Sequence, residues 1–339
     1  MKETTSGSVS NLAAVARLAG VSASTASKAL NARSDVNEAT RTRVESAARD
    51  LGYVPNALAR GLMGGSTGTV GVITTDLEGR FALPILMGVE DALGIDRVLT
   101  FLCDARGDDA RERRLVEELV SRRVDGIILV GKQTDVRPSL GRGLPVPVVY
   151  AYSMSDDPAD LSVSVDNVQA GYMAAQHLVD SGRTKIAHIS GEAPHSAAQR
   201  RSQGLLNLLS DRGLELTGQP MFGDWTEGWG RAAAALLLDS GREFDAILCA
   251  SDQLARGVLD TLHERGITVP TQVAVMGIDN WVVLAQNSRP ALTTVDMQLQ
   301  KLGRVAARRL QDATAGRSSA GIEYLPSSVV IRDSTIPRL

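Results

Sequence analysis

From Val70 onward the chain alternates short apolar runs with amphipathic stretches of helical length, and this alternation restricts the fold more than any other feature. VGVIT is followed by Ala82 to Leu93 and VLTFL by Ala110 to Arg122, and then come GIILV and PVVYAY. A second set follows: Ala170 to Asp180, KIAHIS, Ala197 to Arg212, Trp229 to Leu238, AILCAS, Gln253 to Arg265 and VAVMGID. An unbroken apolar strand needs cover on both faces, and a helix between successive strands makes them parallel, so the pattern predicts two doubly wound α/β units in tandem. The 339 residues, 43% of them apolar, suffice for this pair and a small further unit.

That further unit is the head. Residues 1–63 carry a net charge of +3, whereas the whole chain is at −3, so a basic head precedes an acidic body, as a polyanion-binding module would. Leu12, Val15, Ala16 and Ala19 follow helical spacing, with Ser10 expected as N-cap and Gly20 as the stop. After a tight turn Ser22 caps a second helix, Ala23 to Ala29, with Ala26, Ala29 and Leu30 facing inward. A third helix follows Asn37, with Val44, Ala47, Ala48 and Leu51 as its inner stripe and Gly52 at its end. Two short helices around a Gly-containing turn, braced by a third, form the skeleton of a helix-turn-helix reader of DNA. The hydroxyls of Ser22, Ser24, Thr25 and Ser27 suit phosphate, and Lys28 can reach a guanine edge.

Val15-Ala-Arg-Leu-Ala-Gly-Val-Ser-Ala-Ser-Thr-Ala-Ser-Lys-Ala-Leu-Asn31 resembles the signature of the LacI/GalR family of bacterial transcription repressors, and Val36 to Val44 and Leu51 to Asn56 continue it without a gap. The resemblance implies that Ala23, Ser24 and Lys28 read bases in the major groove, and that Asn11, Leu12, Ser22, Thr25, Ser27, Asn31, Asn37 and Tyr53 contact or position on phosphate. Ala14 and Ala26 depart from the usual residues without removing a base contact. Pro55 to Met63 reads as a two-turn helix with an internal Gly61, too short to stand alone. The resemblance makes it a hinge that forms on DNA against its counterpart in a second subunit, with Asn56, Ala59 and Leu62 at the minor groove and Leu62 as an apolar wedge. The expected division is a helix-turn-helix domain at 1–54, hinge and linker at 55–68, and a body at 69–339. Its lobes are expected at about 69–165 plus 296–322 and about 166–295 plus 323–339.

Ligands of doubly wound sheets bind beyond the carboxyl ends of the strands. Those ends carry Asp76, Arg80 and Phe81; Tyr152 and Ser153; Gly191, Glu192 and His195; Ser251 and Asp252; and Asp279 and Asn280. Carboxylates and a guanidinium serve vicinal hydroxyls, and aromatic rings cover the apolar face of a sugar, so this is a polyol-binding set. The family resemblance continues through Asp166-Asn-Val-Gln-Ala-Gly171, Arg201-Ser-Gln-Gly204, Gly223-Asp-Trp225 and Gly277-Ile-Asp279, and implies effector contacts at Phe81, Arg201, Trp225 and Asp279. With the strand-end residues, the expected effector set is Asp76, Arg80, Phe81, Tyr152, Arg201, Trp225, Ser251, Asp252 and Asp279. Ser251, Tyr152 and Met297 depart from the family pattern, which suits a different or larger saccharide.

Two catalytic patterns fail on context. Gly64-Gly-Ser-Thr-Gly68 opens the strand Thr69 to Thr74 instead of following one, so it is no nucleophile elbow. Gly126 to Lys132 has P-loop spacing, but its middle is a strand and Gln133 stands where a Ser or Thr is needed. The four histidines lack metal-ligand spacing, and His188 reads as a packed strand residue. Cys103 and Cys249 sit in separate apolar runs, as buried reduced thiols would, and no apolar run reaches transmembrane length. The reading is a cytoplasmic homodimeric repressor without cofactor, metal or enzymatic activity. Its partners are double-stranded DNA bearing a near-palindromic operator and a mono- or oligosaccharide effector.

Overall fold

A computed structural model describes residues 11–30, 35–53, 67–94, 98–317 and 319–336. Ser10, Asn31, Asn56, Ala59 and Leu62, named above, lie outside them. The chain divides between Gly68 and Thr69 into two compact units.

In the first unit three helices, Leu12–Leu18, Ala23–Leu30 and Glu38–Asp50, close on a core of Val15, Ala16, Ala19, Ala26, Ala29, Val36, Val44, Ala47 and Ala48. The core residues are small, so the helices approach closely. Leu51, expected inside, is 37% exposed: it is the C-cap, already past the last turn that faces the core. The first helix is capped by Asn11, whose Oδ1 accepts from the Ala14 amide at 2.9 Å, one residue later than the Ser10 reading placed it.

The second unit contains two six-stranded sheets among the described residues. The first is built from β1 (Thr69–Thr74), β2 (Leu99–Asp104), β3 (Gly126–Val130), β5 (Val148–Ala151), β7 (Leu161–Val165) and β13 (Gly321–Leu325), in the order β13-β7-β5-β3-β1-β2 and parallel throughout. The second comprises β8 (Ile186–Ser190), β9 (Met221–Phe222), β10 (Ala246–Cys249), β11 (Ala274–Asp279), β12 (Thr293–Asp296) and β14 (Ser328–Val330), in the order β14-β12-β11-β10-β8-β9, with only β14 antiparallel. Between β3 and β7 a small sheet pairs β4 (Val136–Arg137) with β6 (Met154–Ser155). The chain passes between sheets three times: at Asp166, at 297–298 where Gln298 has φ +51°, and at 326–327. The last passage lies beyond the expected 322/323 boundary, because strand pairing with β7 holds the chain in the first lobe as far as Leu325.

Three helix pairs lie against these sheets, each with a glycine on both sides of its contact. A Cβ on Gly88 would stand 1.9 Å from the Gln300 carbonyl oxygen, and one on Gly303 1.9 Å from that of Ile85. Gly171 with Gly204, and Gly230 with Gly257, repeat the arrangement. Only hydrogen fits there, so backbone touches backbone. The apolar core runs from Val72 and Ile128 through Val163 and Leu178 to Leu248 and Met276, spanning both lobes. Cys249 is buried, as expected, but Cys103 is half-buried because β2 is an edge strand; both thiols are free.

Candidate nucleic-acid interface and ligand cleft

In the head, residue type and helix ends set the exposed surface. Ser22 Oγ accepts from the Thr25 amide at 3.0 Å and lies 2.8 Å from Thr25 Oγ1, which ties both hydroxyls to the start of the second helix. Ala23, Ser24 and Lys28 are exposed beside them, and Ser27 is half-buried. Lys28 Nζ is 2.6 Å from Asp35 Oδ2, a pair the sequence reading did not anticipate. Asn37 Oδ1 caps the third helix by accepting from the Thr40 amide at 2.8 Å. Leu12 and Tyr53 pack half-buried against the head core. Asn11, Ser22 and Asn37 thus also hold helix ends, leaving side-chain atoms and first-turn amides at the surface that helix-turn-helix proteins turn to DNA.

In the body, the strand ends converge as doubly wound topology requires. Arg80, in the loop after β1, sends Nη2 to Asp279 Oδ2, 2.6 Å away at the end of β11, and so bridges the two lobes. The Arg80 guanidinium carbon lies 4.6 Å from the Phe81 ring centroid and 5.0 Å from that of Trp281, between two aromatic faces. Phe81 in turn packs on Tyr152, with centroids 5.2 Å apart. Arg201, its side chain 3% exposed, donates from Nε to Asn167 Oδ1 at 2.8 Å and from Nη1 to the Ala250 carbonyl at 2.5 Å. The same Nη1 is 3.0 Å from Asp279 Oδ1 but is aimed at Ala250, so that oxygen gains charge compensation without a hydrogen bond. The Arg201 guanidinium lies 6.0 Å from the Trp225 ring, and the Trp225 indole donates to His195 Nδ1 at 2.8 Å.

Backbone strain accompanies this convergence: Tyr152 has φ +71° and Asp279 φ +117°, a region L-residues rarely occupy. Burial pushes the Tyr152 phenol above its ordinary range, so it stays neutral.

The structure therefore brings together Arg80, Phe81, Tyr152, Arg201, Trp225 and Asp279. Three expected effector residues do different work. Asp76 accepts from the Gly79 amide at 2.9 Å and shapes the loop that carries Arg80. Ser251 is fully buried as the N-cap of helix Asp252–Glu264, bonded to the Leu254 amide. Asp252 is also sealed, its two oxygens accepting from Thr294 Oγ1 and from the Trp281 amide; burial, reinforced by the Asp279 charge, raises its pKa to about 7. Ser251 and Asp252 follow a strand end in sequence, but the helix starting there turns both inward. Sequence reading missed Trp281, two residues past Asp279 at a strand end, and Asn167, within the quoted 166–171 motif. His188 is a packed residue as read: it is 1% exposed, bonded to the Leu248 carbonyl and Ser202 Oγ, and held by burial at a pKa of about 4.

Residues 11–56 match the family of bacterial regulatory proteins, lacI family, and residues 175–335 match the periplasmic binding protein-like domain. The chain is 34% identical to the catabolite control protein A of Priestia megaterium over 95% of its own length and 98% of that protein. It superposes on the lac repressor dimer bound to operator and the anti-inducer ONPF with a TM-score of 0.78, at 26% identity, over 96% of this chain and 99% of that one. The complex of the transcriptional regulator CelR with cellobiose gives a TM-score of 0.63 at 30% identity over the same shares.

Proposed function

Since this chain belongs to the lacI family of bacterial regulatory proteins and is a sequence-specific DNA-binding regulator of transcription, we propose that it is a homodimeric repressor whose hold on a near-palindromic operator is set by a saccharide bound between its lobes. The observation that carries this reading is the cluster of Arg80, Asp279 and Arg201 joining the two lobes, edged by Phe81, Tyr152, Trp225 and Trp281. A carboxylate between two guanidiniums presents acceptors and donors to vicinal hydroxyls, and the rings offer an apolar wall to a pyranose or furanose face.

Ala23, Ser24 and Lys28 would read bases, and the hydroxyls and helix ends around them would hold phosphate. Leu83, Met87, Leu99, Phe101 and Leu102 are exposed apolar side chains of the first lobe, and they supply the surface for a second copy. A saccharide favouring one angle between the lobes changes operator affinity by the difference in its affinity for the two geometries, typically 5- to 150-fold. On this reading the cleft binds its sugar without turning it over, and the protein works in the cytoplasm, where its operator is.

The test selects DNA from a random pool with the full-length chain and then measures binding with and without sugars. A two-fold symmetric consensus whose affinity shifts at least five-fold with one saccharide is expected. Selection of an asymmetric sequence, or affinity indifferent to every sugar tried, overturns the reading.

A further inference from the structure

In the body, the buried side-chain nitrogens and oxygens that make no hydrogen bond are, among the described residues, Arg80 Nη1, Asp135 Oδ2, Ser153 Oγ and Asp279 Oδ1. Buried polar atoms are nearly always partnered, so four without a hydrogen bond in one unit call for a common explanation. Arg80 and Asp279 belong to the cluster already described. Asp135 and Ser153 stand beyond β3 and β5, two strands of the first lobe that lie side by side.

Asp135 already spans the cleft. Its Oδ1 accepts from the Ser196 amide at 2.9 Å, capping from the first lobe a second-lobe helix, Ser196–Asp211, whose own N-cap residue His195 makes no side-chain capping bond. Thr134 beside it contacts Ser196 Oγ and receives a bond from Asn167, the residue that also holds Arg201. Asp135 therefore joins a first-lobe strand end to the second lobe, as the Arg80–Asp279 pair does. Ser153 is 4% exposed, and its Oγ lies so near Gly131 that any side chain there would strike it.

We infer that Asp135, with Ser153, forms a second polar anchor for the cleft's ligand, its Oδ2 accepting a hydrogen bond from a ligand hydroxyl while Oδ1 keeps the two lobes together. The inference rests on the saccharide reading above and deepens it. A carboxylate at this end selects a hydroxyl donor and repels a sugar acid or phosphate, so the ligand presents uncharged hydroxyls to both anchors. Recognition and closure then share one side chain, which makes Asp135 a specificity-determining residue.

The experiment titrates the full-length chain calorimetrically with D-glucose, D-galactose, D-ribose, D-xylose, maltose and cellobiose, and then repeats the strongest binder as its single-deoxy analogues. Asp135→Asn keeps an oxygen for the Ser196 amide and replaces the free acceptor with a donor. The wild type is expected to favour the parent sugar over one particular deoxy analogue by ten-fold or more, and Asp135→Asn to lose that discrimination while binding the parent at least ten-fold more weakly. Ser153→Ala is expected to lose three- to ten-fold. If Asp135→Asn weakens the parent and every deoxy analogue by one common factor, or weakens none, Asp135 serves only as a cap and the inference is overturned while the saccharide reading stands. If the wild type binds none of the six sugars, the saccharide reading falls and this inference falls with it.

Discussion

Lys28 Nζ pairs with Asp35 in the free head, but both side chains are about half exposed, 52% and 54%, so the pair is worth at most about 1 kcal/mol and is screened by salt. A bidentate contact with a guanine edge is worth about 1–3 kcal/mol of discrimination, so the lysine exchanges partners with a net gain on reaching DNA. Lys28→Ala is expected to weaken specific binding by one to two orders of magnitude and to flatten the preference at one base pair, read by competition with operators substituted at each position. Asp252 makes a prediction of different character. Its pKa of about 7 in the folded chain, against an ordinary 3.8, means that between pH 4 and 7 the folded state holds a proton the unfolded state has released. Stability from this group therefore falls as pH rises through that window, by about 4 kcal/mol in all, and is level above it. His188, held at about 4 against 6.5, works the opposite way: the unfolded chain takes up the proton first, so stability is lost as pH falls from 6.5 to 4. The difference in Tm between Asp252→Asn and wild type isolates the first slope, and it should move in favour of the variant from pH 5 to 7 and then stay constant.

At the scale of elements, much was legible. The helix at Ala82–Leu93 has the bounds its apolar pattern predicts, and Ser22 and Asn37 cap where polar residues precede helical spacing. Asn11 was overlooked as a cap because Ser10, an equally good capping type, stands next to it. The unbroken apolar run of β2 predicts cover on both faces, but β2 lies at the sheet edge, with Leu99 62% and Leu102 48% exposed. A sequence pattern reports burial without saying what does the burying. Strand-end logic found Arg80 and Asp279 because each lies within a loop's reach of its strand. It passes over Asp135, which arrives five residues after β3 through a bend, and it takes in Asp252, whose side chain the structure buries at a helix start. The glycine contacts carry the prediction at this scale. Gly303→Ala would set a methyl 1.9 Å from a backbone oxygen, where no side chain can yield, so the Ala82–Leu93 and Leu299–Thr314 pair must separate. A loss of about 2–4 kcal/mol in denaturant unfolding is expected, whereas Gly228→Ala, whose methyl would make only an ordinary 3.7 Å contact with Thr226 Oγ1, should change stability by less than about 1 kcal/mol.

For the whole molecule, the cluster at Asp279 is where the lobes meet by charge as well as by packing. Asp279→Ala would leave two arginines, 3% and 16% exposed, without their shared carboxylate, a change expected to cost about 3–5 kcal/mol. Asp279→Asn, which keeps the shape and one acceptor oxygen for Arg80, is the better probe of function. It should abolish the change in operator affinity on adding sugar and leave sugar-free DNA binding within about two-fold of wild type, as read by fluorescence anisotropy on one operator. An intact sugar response in a folded variant would remove Asp279 from the coupling. The domain plan was legible because each lobe repeats the same alternation of strand and helix. The third passage was placed a few residues early because a short return strand such as β13, with exposed Ile322 and Tyr324, lacks the continuous apolar run that marked the others.

The glycine-to-glycine helix contacts leave each lobe almost no internal compliance, since main chain pressed on main chain has no side-chain cushion to compress. A lobe moving as a stiff plate would turn about the three passages at Asp166, 297–298 and 326–327, where the chain crosses from one sheet to the other. A plate magnifies a small angular step in proportion to its reach. A fraction of an ångström gained or lost beside Asp279 would then become a larger excursion at Thr69, the first residue of β1 and of the body.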